Sequence, residues 1–166
     1  MNKVEILKRA DIFYDLTPAQ YEMLAAICEE QRARLGDILF EENTPGSEMY
    51  VIGRGAVEVL VDPSIVSGPN NKRRGGPVTI ATLREGQTFG EVALVDQGLR
   101  SASARCAEGE ATLLRIPRDK LITLCETYPE LGYRIMRNMA ADLAFKIRGS
   151  DLAIREQLLW RPRQPG

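Results

Sequence analysis

Histidine is absent from all 166 residues, and with it go the usual general base, the usual zinc ligand and the side chain that changes charge near neutral pH. Most familiar hydrolase mechanisms are excluded at once. Cysteine is sparse: Cys28, Cys106 and Cys125 are odd in number and far apart, without the paired spacing of a zinc site or a redox dithiol. They read as buried, unreactive thiols in a reducing cytosol. No run of 18 apolar residues occurs, and residues 1–10 alternate charged and apolar side chains where a secretory segment would be apolar. The chain therefore reads as soluble and cytoplasmic, with no membrane segment. Charge of one sign is lacking too, with 22 Lys and Arg against 23 Asp and Glu, so there is no net attraction to nucleic acid or anionic lipid. The length allows one domain and disfavours two.

What is present falls into three textures. Thr17-Pro18-Ala19-Gln20 opens a helix by three signals: a hydroxyl N-cap, proline at the first helical position, and a glutamine placed to reach back. Tyr21, Leu24, Ala25 and Cys28 follow at helical spacing, and the charged residues Glu29, Glu30, Arg32 and Arg34 are read as closing this segment. Across residues 36–116 the pattern turns to short β-branched and aromatic runs such as Tyr50-Val51-Ile52 and Val57-Glu58-Val59-Leu60-Val61, punctuated by glycines. Many short strands with frequent turn signals predict an antiparallel sandwich, barrel or jelly roll. Residues 62–77, rich in Pro, Gly, Asn and Ser, read as a long, mobile hairpin loop. Its Lys72-Arg73-Arg74 is the basic cluster of note, read as a solvated turn and otherwise a weak contact for an acidic partner.

After Pro117 the helical period returns. Residues 118–127 make a short helix, Pro129 interrupts or restarts it, and residues 130–160 make a long one with Met136, Met139, Leu143, Ile147, Ile154 and Leu158 on a packing stripe. Gly149-Ser150 marks a place where it can kink or end. The organisation expected is a single domain over 1–166, with an N-terminal helical segment (1–34), a β-roll (35–117), C-terminal helices (118–160) and a tail (161–166). The stripe is open to two readings, a cover for the β-roll within one chain or a seam against a second copy.

The chemistry concentrates in Phe89-Gly90-Glu91-Val92-Ala93-Leu94 and the following Arg100-Ser101-Ala102-Ser103. Gly90 permits close backbone approach, and Val92 to Val95 can form one helical turn whose leading N–H groups favour an anion. Arg100 can pair with the same anion through its two-pronged guanidinium. Glu91 beside such an anion needs a donor of its own, and a ribose hydroxyl supplies one. Ser101 adds a hydroxyl, while Ala93 and Ala102 are small enough to leave the entrance open.

These residues resemble the phosphate-binding cassette of the cyclic nucleotide-binding domain family: Phe-Gly-Glu-apolar-Ala-Leu, a variable stretch, then Pro-Arg-small-Ala-Ser/Thr. The chain matches at Phe89, Gly90, Glu91, Ala93, Leu94, Arg100, Ala102 and Ser103. Upstream, Gly36-Asp37-Ile38-Leu39-Phe40, Pro45-Gly46, Met49-Tyr50-Val51-Ile52 and Gly55 resemble the family's first strands and turns, so the likeness runs over about residues 12–147. There are two departures. Asn43 stands where the family has glycine, and asparagine is the residue most tolerant of positive φ after glycine. Leu99 stands where the family has proline, which loosens the turn before Arg100.

The resemblance implies an α+β fold, an antiparallel β jelly roll flanked by N- and C-terminal helices. It implies that Arg100 binds a cyclic phosphate, that Glu91 takes the ribose 2′-hydroxyl, and that backbone groups of residues 90–93, with Ser101, hold phosphate and sugar. Phe89, Gly90, Glu91, Val92, Ala93, Arg100, Ser101 and Ala102 are thus the expected ligand-binding residues. The base rests on the β-roll under the C-terminal helix, with Tyr133, Arg134 and Asn138 as candidate caps. The ligand is cAMP or cGMP, with no other cofactor and no metal, and no enzymatic activity is expected, since one carboxylate is not a catalytic centre. A protein partner or a homodimer through the C-terminal helix would receive the signal. With six residues after Trp160, no DNA-reading domain is expected. The alternative is a ligand-independent scaffold.

Overall fold

The computed structural model describes residues 2–63, 76–96 and 98–159. The Lys72-Arg73-Arg74 cluster with most of its expected loop, Trp160 and the tail lie outside the described residues. Helix α1 (Lys3–Leu7) is capped by Asn2, whose Oδ1 accepts the N–H groups of Val4 and Glu5. A single 3-10 turn (Asp11–Phe13) follows, then α2 (Pro18–Ile27), which opens as its sequence demands: Thr17 Oγ1 accepts the Gln20 N–H and Gln20 Oε1 accepts the Thr17 N–H.

The β region contains β1 (Glu29–Arg34), β2 (Ile38–Phe40), β3 (Glu48–Arg54), β4 (Ala56–Val61), β5 (Val78–Arg84), β6 (Thr88–Phe89), β7 (Ser103–Cys106) and β8 (Glu110–Pro117). These form two antiparallel sheets, ordered β1-β8-β3-β6 and β2-β7-β4-β5, a jelly roll as expected. Strand β1 corrects the boundary placed at residue 34. The charged run Glu29 to Arg34 does not close the helix; it is an edge strand paired with β8 along its whole length. Pairing satisfies the backbone groups that face β8, and Glu29 binds Arg115 across the ladder, so tertiary pairing overrides a composition with little β propensity.

Alternation along β3 explains its uninterrupted apolar run. Tyr50 and Ile52 point into the roll with Val57, Phe89, Ala104, Cys106, Ala111 and Leu113, while Met49 and Val51 point outward beneath the helices. Both faces of β3 are buried from Met49 to Gly53, so no position in that run is free to be polar. The outer face carries Leu114 and Ile116, packed with Ile12, Phe13, Leu24, Leu121, Leu131, Ile135 and Met139 from the helices. Each such fully buried aliphatic side chain contributes about 1.5–3 kcal/mol.

The chain then forms α3 (Val92–Asp96), α4 (Arg118–Thr127) and α5 (Pro129–Leu159), with Pro129 starting a new helix. No break occurs at Gly149-Ser150; Ser150 Oγ donates to the Lys146 carbonyl one turn back, and α5 continues. Its stripe divides. Met139 is buried and Leu143 packs against the core, but Ile147 and Ile154 are exposed, and so are Phe145 and Leu152. No helix among the described residues is long and apolar enough to cross a membrane.

Candidate functional site

The segment after β6 builds the site because of one glycine. Gly90 has φ +78°, and a Cβ there would stand 2.7 Å from Arg100 Nη1, so only glycine lets the chain turn at β6 and the guanidinium lie flat beneath it. Arg100 is 4% exposed. Its Nη1 donates to the Gly90 carbonyl at 3.2 Å and its Nη2 to the Glu48 carbonyl at 2.8 Å, with the Glu48 carboxylate 3.4 Å away. Phe40 lies under the cation, 4.0 Å from ring centre to guanidinium carbon, within a cluster formed with Tyr50 and Phe89. The Nε–H of Arg100 is buried and has no acceptor among the described residues. A buried guanidinium with one N–H left over has the chemistry to donate to an anion.

The turn before β3 presents that arginine. Asn43 takes φ +62°, as its tolerance of the left-handed region predicts, and its N–H donates to the Arg100 carbonyl while the Arg100 N–H donates to the Thr44 carbonyl, both at 2.8 Å. Pro45 and Leu99 bridge beside them. This two-way pairing holds the Arg100 backbone without proline at position 99.

Glu91 is buried as well, at 6% exposed, and is not free. Lys146 of α5 donates to its Oε1 at 2.7 Å and lies 2.8 Å from Asp142 Oδ2. Burial pushes the Lys146 ammonium down, but its bonds to Asp142 and Glu91 outweigh that and hold it above its ordinary value. Between Glu91 and Arg100 lies a cavity of about 300 Å³, walled by Val59, Ala81 and Leu83 of the second sheet and closed by Asp142 and Lys146. Phe89, Gly90, Glu91, Val92, Arg100, Ser101 and Ala102 all line it. Ala93 sits in α3, and its side chain lies outside the described set.

The three candidate caps are not brought to the cavity. Asn138 donates to the Tyr14 and Ile12 carbonyls, Arg134 binds Asp15, and Tyr133 is exposed to solvent. Their part of α5 clamps the 3-10 turn, and the helix reaches the cavity only one and two turns later, at Asp142 and Lys146. An acid four residues before a lysine is visible in sequence as an intrahelical pair. Nothing local shows which way it faces.

Glu48, which no local motif marks, joins the site to the helices. It faces Arg100 on one side and Arg115 on the other, and Arg115 shares Glu29 with Lys120 of α4. Burial pushes Glu48 up, but hydrogen bonds from Ser47 and Tyr50, with Arg100 and Arg115 beside it, leave it below the usual carboxylate range. Hydrogen bonds from Lys120 and Arg115 lower Glu29, and those from Arg105 and Thr79 lower Glu58. A carboxylate with a depressed folded-state pKa stabilises the fold above its unfolded value, 4.5 for these groups, and that stability is lost as pH falls through the folded value. With no histidine to titrate, urea midpoints are expected to be level between about pH 6 and pH 8 and to drop below about pH 4.5. A step near pH 6.5 would contradict this. Cys28 and Cys106 are buried as expected, burial pushing Cys28 up to about 12, whereas Cys125 is half-buried.

Fold and site together define a β-roll module whose cavity carries a buried arginine and a buried glutamate. The chain belongs to the cyclic nucleotide-binding domain family, whose model matches residues 30–128. It is 27% identical over 148 residues to the cyclic AMP receptor protein of Thermus thermophilus, covering 89% of this chain and 62% of that protein. It is 29% identical over 132 residues to a cyclic nucleotide-gated cation channel protein of Drosophila melanogaster, covering 76% of this chain and 18% of the channel protein. The crystal structure of the Thermus thermophilus catabolite activator protein superposes with a TM-score of 0.73 at 26% identity, covering 89% of this chain and 63% of that one. The chain thus spans less than two thirds of the length of these relatives.

Proposed function

We propose that this chain is a non-enzymatic, cytoplasmic sensor of cAMP or cGMP. The observation that carries this is the buried Arg100, held flat on Phe40 with its Nε–H unused at the wall of a cavity sized for a small ligand. In this reading the cyclic phosphate takes that donor and competes with Glu48 for the rest of the guanidinium. The 2′-hydroxyl donates to Glu91, backbone N–H groups of residues 90–93 with Ser101 complete the phosphate and sugar contacts, and the base lies against Val59, Ala81 and Leu83. Only a difference in affinity between two arrangements of the helices does regulatory work, so the signal is a change at α4 and α5 read by a protein partner or a second copy.

Titration calorimetry of ligand-free, folded protein with cAMP and with cGMP tests it. At least one is expected to bind at micromolar affinity or tighter, about −8 kcal/mol, and to stabilise the fold by about 2.7 kcal/mol at a hundredfold excess over Kd. Absence of heat and of any thermal shift with both nucleotides would overturn the reading. A second reading, a ligand-independent scaffold, is favoured by one observation, the exposed Phe145, Ile147, Leu152 and Ile154 on α5. Such a scaffold would self-associate or bind a partner identically with and without nucleotide.

A further inference from the structure

The two halves of α5 are held by different forces. Leu131, Ile135 and Met139 are buried in the helical core and Leu143 packs against it, so the first half is anchored by apolar contact. From residue 144 to residue 156 every described side chain is exposed. Lys146 ties this second half to the β-roll, through its 2.7 Å bond to Glu91. The acceptor is the carboxylate that the proposed function assigns to the ribose, so one buried group has two claimants.

We propose that Lys146 is the switch contact of this site: it holds the distal half of α5 on Glu91 while the cavity is empty, and a nucleotide carrying a 2′-hydroxyl takes Glu91 from it and frees that half. The proposal rests on the reading of Glu91 as the ribose acceptor. The exchange leaves neither group without a hydrogen-bond partner, although Glu91 gives up a cation for a neutral hydroxyl, a cost the rest of the ligand's contacts must cover. Glu91 trades one donor for another, and the Lys146 ammonium, half-exposed, keeps Asp142 at 2.8 Å on its own helix. Displacement is therefore inexpensive for the lysine, and it is driven by the other contacts the ligand makes, chiefly its phosphate on Arg100. The hydroxyl is the element that the helix senses; the phosphate supplies the affinity.

Amide hydrogen exchange on the whole chain tests this, comparing wild type, K146M, K146R and the double variant E91Q/K146M, which strands no buried carboxylate. Without nucleotide, residues 144–156 are expected to exchange at least about fivefold faster in K146M and in the double variant than in wild type, and K146R is expected to restore protection. Saturating cAMP or cGMP is expected to accelerate exchange there in wild type and add little in K146M, and K146M is expected to bind the nucleotide about three- to tenfold more tightly. The 2′-deoxy analogue is expected to bind without accelerating exchange. Weaker binding by K146M would make Lys146 a ligand contact and overturn the proposal, as would unchanged ligand-free exchange in both K146M and the double variant. If neither nucleotide binds, the functional reading falls, while the ligand-free comparison still decides whether Lys146 is the tether.

Discussion

Arg100→Ala is expected to weaken cyclic nucleotide binding at least about 100-fold, read by calorimetry against the wild-type chain. The guanidinium is buried at the wall of the cavity, and each charge-assisted hydrogen bond it offers a phosphate is worth about 1.5–3 kcal/mol. Two such bonds exceed the roughly 2.8 kcal/mol that 100-fold requires. Arg100→Lys is expected to recover little, because a point charge cannot reproduce the planar fork lying on Phe40. The fold should survive both changes, since Glu48 keeps Arg115, Tyr50 and Ser47 as partners. An affinity within threefold of wild type would remove Arg100 from the phosphate.

The second large effect is on stability. Gly55 joins β3 to β4 with φ +87°, and a Cβ there would meet the Glu110 carbonyl oxygen at 2.8 Å and Ala111 Cα at 2.9 Å. Both atoms are backbone of β8, which is paired on each side and cannot step away. Gly55→Ala is expected to cost about 3 kcal/mol through left-handed strain plus steric overlap, and to lower Tm by about 6–12 °C. Thermal denaturation followed by circular dichroism checks this. A shift below about 2 °C would mean that the β3–β4 turn relaxes in a way these distances forbid.

Several parts of this molecule were legible in its residues because the signals are local. The capping box at Thr17 and Gln20, the positive φ at Asn43, the one-turn helix after Glu91 and the restart at Pro129 each depend on side chains within a few positions of one another. Strand β1 was not legible: its charged residues carry no period-2 apolar signal, and only β8, some 80 residues away, makes it a strand. The division of α5 was hidden for the same reason. Met139 and Ile147 are alike in sequence, and the core lies under one of them and not the other.

The class of fold and the inner wall of the cavity follow from local residue patterns, because Phe89, Gly90, Glu91, Arg100, Ser101 and Ala102 lie within one short segment whose turns are dictated by glycine and small residues. The tertiary structure alone decided what faces that wall. Which turn of a 31-residue helix passes over a cavity depends on how its first half packs, and that packing brings Asp142 and Lys146 to Glu91 and leaves Tyr133, Arg134 and Asn138 elsewhere. A carboxylate that reads as open to a ligand is thereby already paired across 55 residues of chain, a contact that no local pattern encodes.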